Sequence, residues 1–203
     1  MIKSISYDQT EILRNILHLY IKEAAFHLDP TFSRGNFYKK IPEPILKSDL
    51  FPQQPNTIQN DCRNLPFAND SINNIIFDPP FTIGIPNKSE GKKGSNIIRD
   101  RFGSFKSKDD LLTFYSASLK EFMRVLVPNG YLVFKCQDTV SSGKQHIIHC
   151  DIYNLAMEIG YEVIDLFILL AKNRIMSSPA KWPIQLHARK YHCYFFVFRK
   201  NKG

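Results

Sequence analysis

Asn74-Ile75-Ile76-Phe77-Asp78-Pro79-Pro80-Phe81 reads as a short buried strand that stops at an acidic residue and a stiff turn. Asn74–Phe77 is the strand candidate, and Asp78-Pro79-Pro80 stops it. The two prolines remove the amide donors that would extend it. Outward from here the same pattern recurs. Residues 25–28, 44–48 and 56–60 are strand candidates that run into Asp29, Asp49 and Asp61. Asp8 can cap an N-terminal helix over 9–23, whose Ile12, Leu13, Ile16, Leu17, Tyr20 and Ile21 form one apolar face. Ser107 opens a second helix to about Leu126, Pro128-Asn129-Gly130 is a turn, and 131–136 is a strand. A helix over 143–159 ends at Gly160, and the last strands are 161–171 and 191–199. Strands alternating with helices predict an α/β fold, with a mainly parallel sheet covered on both faces. The last two strands lack a helix between them, so the final one is expected to run antiparallel.

The chain has 203 residues, read as a single domain over 1–203, and 43% of them are hydrophobic, which excludes a mainly disordered chain. The start lacks the apolar stretch of a secretory signal. The longest apolar run, 163–171, is about half a membrane span and carries Asp165. The expectation is a soluble, cytoplasmic protein with no membrane partner. Cys62, Cys136, Cys150 and Cys193 lie far apart and form no CxxC pair, and the histidines at 146, 149 and 192 follow no established ligand spacing, so no metal is expected. The formal charge is +8 and is concentrated. Seven Lys or Arg fall between Lys88 and Lys108 against Glu90 and Asp100, and eight fall between Ala171 and Gly203 with no acidic residue. Charge alone fits a nucleic-acid surface and a solubilising face alike.

Four carboxylates at strand ends are more than turn formation calls for, and ligands of parallel sheets bind at that rim. Asp78-Pro79-Pro80-Phe81 resembles the catalytic motif of the amino-methyltransferases, which use S-adenosylmethionine to modify exocyclic nitrogens of nucleic-acid bases. Such an amino group is a poor nucleophile because its lone pair is delocalised into the ring. A carboxylate and a proline-flanked carbonyl can accept its hydrogens and localise that pair, while an aromatic ring stacks on a base taken out of its helix. Asp78, Pro79, Pro80 and Phe81 are therefore the catalytic candidates. Residues 27–37, His-Leu-Asp-Pro-Thr-Phe-Ser-Arg-Gly-Asn-Phe, are similar to the family's first cofactor motif. The likeness implies that Asp29 and Gly35 flank the methionine part of the cofactor, with Thr31, Phe32 and Arg34 lining it. Ser33 and Asn36 stand where glycines are often found. Asp49 falls where the family holds the ribose hydroxyls, and Asp61-Cys62 where it binds the adenine.

The resemblance implies a class I, Rossmann-like methyltransferase fold with a seven-stranded mixed sheet in the order 3-2-1-4-5-7-6. It implies methyl transfer to a base amino group, adenine N6 in DNA foremost, with RNA (adenine N6 or guanine N2) as the alternative. A catalytically silent nucleic-acid-binding module is the reading left open by Ser33 and Asn36. Nothing here is long enough to be the usual target-recognition region, so residues 82–106 and 172–190 are expected to form basic substrate-side loops. Lys135-Cys136-Gln137-Asp138 follows the fifth strand and is expected to face the site, where Gln137 and Asp138 either hold the target base or cap a turn.

Overall fold

The fold is described from a computed structural model, and the description covers residues 1–84, 105–141, 143–172 and 186–201. The strands are β1 (Ile5–Ser6), β2 (Leu28–Asp29), β3 (Leu46–Asp49), β4 (Ile58–Gln59), β5 (Ile72–Phe77), β6 (Leu126–Cys136), β7 (Thr139–Ser141), β8 (Lys144–His146), β9 (Tyr161–Leu170) and β10 (His192–Lys200). The helices are α1 (Gln9–Ile16), α2 (Lys108–Val125) and α3 (Ile148–Ile159).

Eight strands form one sheet in the order β4-β3-β2-β5-β6-β10-β9-β1. Seven of them stand in the order expected, 3-2-1-4-5-7-6, and β10 runs antiparallel to both β6 and β9. The eighth strand corrects the count. Ile5 and Ser6 pair in parallel with Ile168 and Leu169, and two residues carry no periodicity from which a strand can be read.

Side chains along the central strands alternate between two cores, as a pleat of period two requires. Ile75, Phe77, Leu132, Phe134, Phe196 and Phe198 face the cluster built on α2 and α3. Ile76, Val133, Phe195 and Val197 face the cluster built on α1. Helices thus cover both faces. The Asp8 carboxylate caps α1 at the Thr10 amide, 2.8 Å, and α1 continues as a π-helical turn, Leu17–Ile21. Ser107 caps α2 through the Asp110 amide, and α3 ends at Gly160 in the left-handed conformation.

Between Asp29 and Ile72 no α-helix forms, only a 3₁₀ turn at Asn36–Tyr38. Pro42, Pro44, Pro52 and Pro55 break that stretch too often for a helix. Residues 139–146 are a hairpin, β7 with β8, so the helix expected from 143 begins at Ile148. Gly143, at φ +72°, supplies the conformation that a short hairpin loop needs. Pro128–Gly130 is not a turn ahead of β6 but an irregularity within it, where the pairing jumps from Ile72↔Leu126 to Asn74↔Tyr131. A Cβ on Gly130 would meet the Val127 and Asn73 carbonyls at 2.8 and 2.9 Å, so the bulge needs a residue without one. Among the described residues no helix is long and apolar enough to cross a membrane.

Candidate active site

The pleat explains how the rim is furnished. Leu28, Phe77 and Phe134 all pack into the α2–α3 core. The residues that follow them, Asp29, Asp78 and Lys135, must therefore turn to the opposite face. Phe77 pairs with Phe134, which sets Asp78 and Lys135 side by side, and Lys135 Nζ lies 3.1 Å from Asp78 Oδ2.

Thr31 joins the two acidic strand ends. Its hydroxyl donates to Asp29 Oδ1 (3.1 Å) and accepts from the Asp78 amide (3.1 Å). Asp29 is 4% exposed. Its carboxylate also accepts from the Thr31 amide (2.8 Å) and the Tyr38 hydroxyl (2.6 Å). Burial pushes the Asp29 carboxyl up to about 7 against those hydrogen bonds, and the nearby Asp78 charge adds to the rise. Beyond Asp78 the turn is fixed from below, because the buried Tyr115 hydroxyl donates to the Pro80 carbonyl at 2.9 Å. Pro79 is buried, and Asp78, Pro80 and Phe81 are half-buried at the surface of the rim.

The loop after Asp29 forms the next wall. Ser33 adopts φ +51° and Gly35 φ +67°. Ser33 thus takes the left-handed conformation that glycine adopts more easily, and its amide is held by Asp49 Oδ2 at 2.9 Å. Asn36 opens the 3₁₀ turn without a positive φ. Asp49 also accepts from the Phe51 amide through Oδ1, 2.8 Å. Asp61 is gripped by Arg63, with Nη2 at 2.5 Å from Oδ2, and that contact holds its carboxyl below the usual range.

Other candidates lie elsewhere. Phe32 is buried, stacked on Tyr38 at 5.6 Å, and a Cβ on Gly35 would fall 2.8 Å from its ring. Cys62 is buried against Ser118 Oγ at 3.5 Å, and burial pushes its thiol up to about 11. Arg34 is exposed and donates to Gln53 Oε1. Gln137 donates to the His192 carbonyl. Asp138 accepts from the amide and ring of His149, at 3.2 and 2.8 Å, and so caps the start of α3. Among the described residues no group of three or more His, Cys, Asp or Glu side chains could hold a metal ion. Most of the two expected basic loops, 85–104 and 173–185, lies outside the described residues.

Lys135 begins a stretch expected to face the site, but the expected role fell on Gln137 and Asp138; parity places Lys135 one strand from Asp78 and on the same face. Two further rim residues were missed in the sequence. Phe51 is 71% exposed two residues past Asp49, a signal available as an aromatic in a rim turn. Asn60 Oδ1 is buried with no hydrogen-bond partner among the described residues, and no sequence feature announces that. An orphan acceptor beside Asp61, together with the carboxylates of Asp29 and Asp49, suits a ligand bearing ammonium, hydroxyl and amino donors.

The family model of the N6/N4 enzymes, described as DNA methylase, matches residues 72–203, well over half of the chain. A search of the curated proteins finds no match. Among solved structures, a candidate methyltransferase in complex with the Trm112 methyltransferase activator of Haloferax volcanii is 12% identical, with TM-score 0.56 over 94% of this chain and 89% of that one. A Bacillus halodurans protein described as a candidate methyltransferase is 12% identical, with TM-score 0.50 over 97% of this chain and all of that one. At such identities the likeness is one of fold, the class I Rossmann-like methyltransferase fold. A candidate DNA modification methylase from Thermus thermophilus, solved with S-adenosyl-L-methionine, is 19% identical with TM-score 0.45 and is covered over 54% of its length, against 71% of this chain. The chain spans about half the length of that protein.

Proposed function

Since this chain belongs to the N6/N4 DNA methylase family, we propose that it transfers a methyl group from S-adenosylmethionine to an exocyclic amino nitrogen of a DNA base, adenine N6 foremost. The observation that carries the reading is the joined pair of strand ends, Asp29 and Asp78 on one Thr31 hydroxyl. One carboxylate belongs to the cofactor side and the other to the Asp-Pro-Pro-Phe motif, so a single side chain fixes donor and acceptor sites relative to each other. Such positioning is a large share of what a transfer from an activated donor requires.

S-adenosylmethionine, when bound, supplies an electrophilic methyl group on a sulfonium. The residues of the chain do the rest. Asp29 faces the ammonium of its methionine part, and Asp49 keeps lone pairs for ribose hydroxyls while it holds the Ser33 and Phe51 amides. Asn60 and Asp61 accept from the adenine amino group, and the exposed Phe51 ring offers a face to the adenine. On the acceptor side, the Asp78 carboxylate and Pro79 carbonyl take the two hydrogens of the target amino group. Phe81 stacks on the base, and Tyr115 keeps the turn from relaxing. The proton shed after transfer passes to Asp78 or to water. Label transfer from methyl-tritiated cofactor to DNA and to RNA in separate reactions tests the polymer: incorporation into DNA is expected, and incorporation into RNA alone would replace the DNA reading.

The Asp29 carboxyl, at about 7 in the free chain, makes cofactor binding pH-dependent. A cation beside it favours the ionised form, so binding near pH 6.5 should release roughly half a proton to one proton. Affinity should rise with pH and level off above about 8. For the free chain the sign is opposite. A raised carboxyl binds more protons folded than unfolded, so its ionisation costs stability as pH climbs from about 4 to about 7. Calorimetry of cofactor binding in buffers of different ionisation enthalpy reads the proton release. Wild type should show it and Asp29→Asn should not. Equal heats in every buffer for wild type would remove Asp29 from the cofactor site.

A further inference from the structure

Lys135 has no part in the transfer as proposed so far, yet no described side chain is more closely engaged with Asp78. Its ammonium is 3.1 Å from Asp78 Oδ2, and the side chain is only 14% exposed. The charge is also held from behind, 4.7 Å from the ring centre of Phe37 and 5.7 Å from that of Phe195. Both rings belong to the α1-side core or pack against it, so the cation is clamped between an aromatic floor and the motif carboxylate. A lysine free to swing would be a solvated surface charge, whereas this one has its position set by three groups.

The surroundings of Asp78 explain why a fixed cation matters. Asp29 of β2 is a second carboxylate, joined through Thr31. The Tyr38 hydroxyl of the 3₁₀ turn and the Tyr115 hydroxyl of α2 also feel the Asp78 charge. Asp29, Tyr38 and Tyr115 thus lie near Asp78, and Lys135 is the cation in contact with it. A carboxylate with one oxygen held by a charge-assisted contact has less freedom to rotate.

We propose that Lys135 is a positioning residue for the transfer, holding Oδ2 of Asp78 so that the carboxylate stays oriented with its other oxygen available to the target amino group. This rests on the reading of Asp78 as the amino-group acceptor. Lys135 touches neither cofactor nor base in this scheme and acts only through Asp78.

The test is kcat and KM for methyl transfer to DNA by the full chain, beside calorimetry of cofactor binding, in wild type and in Lys135→Met, Lys135→Gln and Lys135→Arg. Methionine keeps the unbranched stem over Phe37 and Phe195 and removes the charge, and glutamine serves if methionine misfolds. In Lys135→Met kcat should fall by about tenfold, because a carboxylate released from the ammonium meets the amino group in the productive orientation less often, while KM for DNA and cofactor affinity stay within about threefold. Arginine should restore most of kcat, since it returns a cation to the same carboxylate. A Lys135→Met kcat within about twofold of wild type, or a loss that appears equally in cofactor affinity, or no recovery with arginine, overturns the proposal. Asp78→Ala, run alongside, separates the two readings: if it matches wild type, the Asp78 reading has failed whatever the lysine variants show.

Discussion

Asp78→Ala is expected to lower methyl transfer by about three orders of magnitude while leaving cofactor affinity within about threefold. The asymmetry follows from what the residue holds. Its backbone amide donates to the Thr31 hydroxyl, and alanine keeps that bond, so the Asp29 side of the rim stays in place. Its carboxylate side chain is 26% exposed and bonds to Lys135. Truncation leaves the mostly buried Lys135 ammonium without its carboxylate, so a stability loss of about 1–3 kcal/mol is expected beside the kinetic effect. The reaction loses the acceptor that localises the amino lone pair and balances charge as the nitrogen gains its fourth substituent. Asp78→Asn should fall between the two, since its amide oxygen still accepts one hydrogen but carries no full charge. Single-turnover rates with saturating cofactor, beside calorimetry of cofactor binding, read both quantities. Equal transfer by wild type and Asp78→Ala would remove Asp78 from the chemistry.

Phe77→Ala is expected to cost about 3–5 kcal/mol of stability, the largest single loss at any position discussed. The ring is fully buried. It meets Phe122 edge-on at 4.8 Å, Phe134 edge-on at 5.0 Å and Phe114 at 6.3 Å. One deletion thus opens a cavity between β5, β6 and α2, in a sheet centre that has few ways to collapse. For a chain of this length the loss corresponds to a fall in Tm of about 8–15 °C. Urea unfolding of wild type and variant measures it. A loss below about 1.5 kcal/mol would mean that the strand before Asp78 is not packed as described. The link to function is direct, because the residue that anchors β5 is the one before the catalytic candidate.

The strand order came from the family resemblance alone, whereas the positions of several elements were legible in the residues because their signals were long or doubled. The central run 75–77, the aromatic strand 192–200 and the capped helices each state their structure in more than one way, through periodicity and through a stop signal. What stayed hidden was short or depended on distant neighbours. β1 is two residues, and its strand character comes entirely from pairing with Ile168 and Leu169. The hairpin at 139–146 was masked by polar residues that a helix tolerates equally well. At the rim, Asp29, Thr31 and Asp78 could be chosen from the motif, and the structure joins them. The motif also pointed to Phe32 and Cys62, but their side chains lie in the core, because a sequence motif records position along the chain and not which way a side chain turns. Lys135 shows the reverse. Its stretch was expected to face the site with Gln137 and Asp138 as the working residues, and its own place beside Asp78 follows from counting pleats along two paired strands.

Mass spectrometry of nucleosides released from DNA, after incubation with the protein and S-adenosylmethionine, shows whether the methyl group reaches an exocyclic amino nitrogen as proposed. The expected product is N6-methyldeoxyadenosine that depends on the protein and disappears with Asp78→Ala. A digest with no methylated nucleoside, or one whose only new product carries its methyl group on a ring carbon, would contradict the proposal.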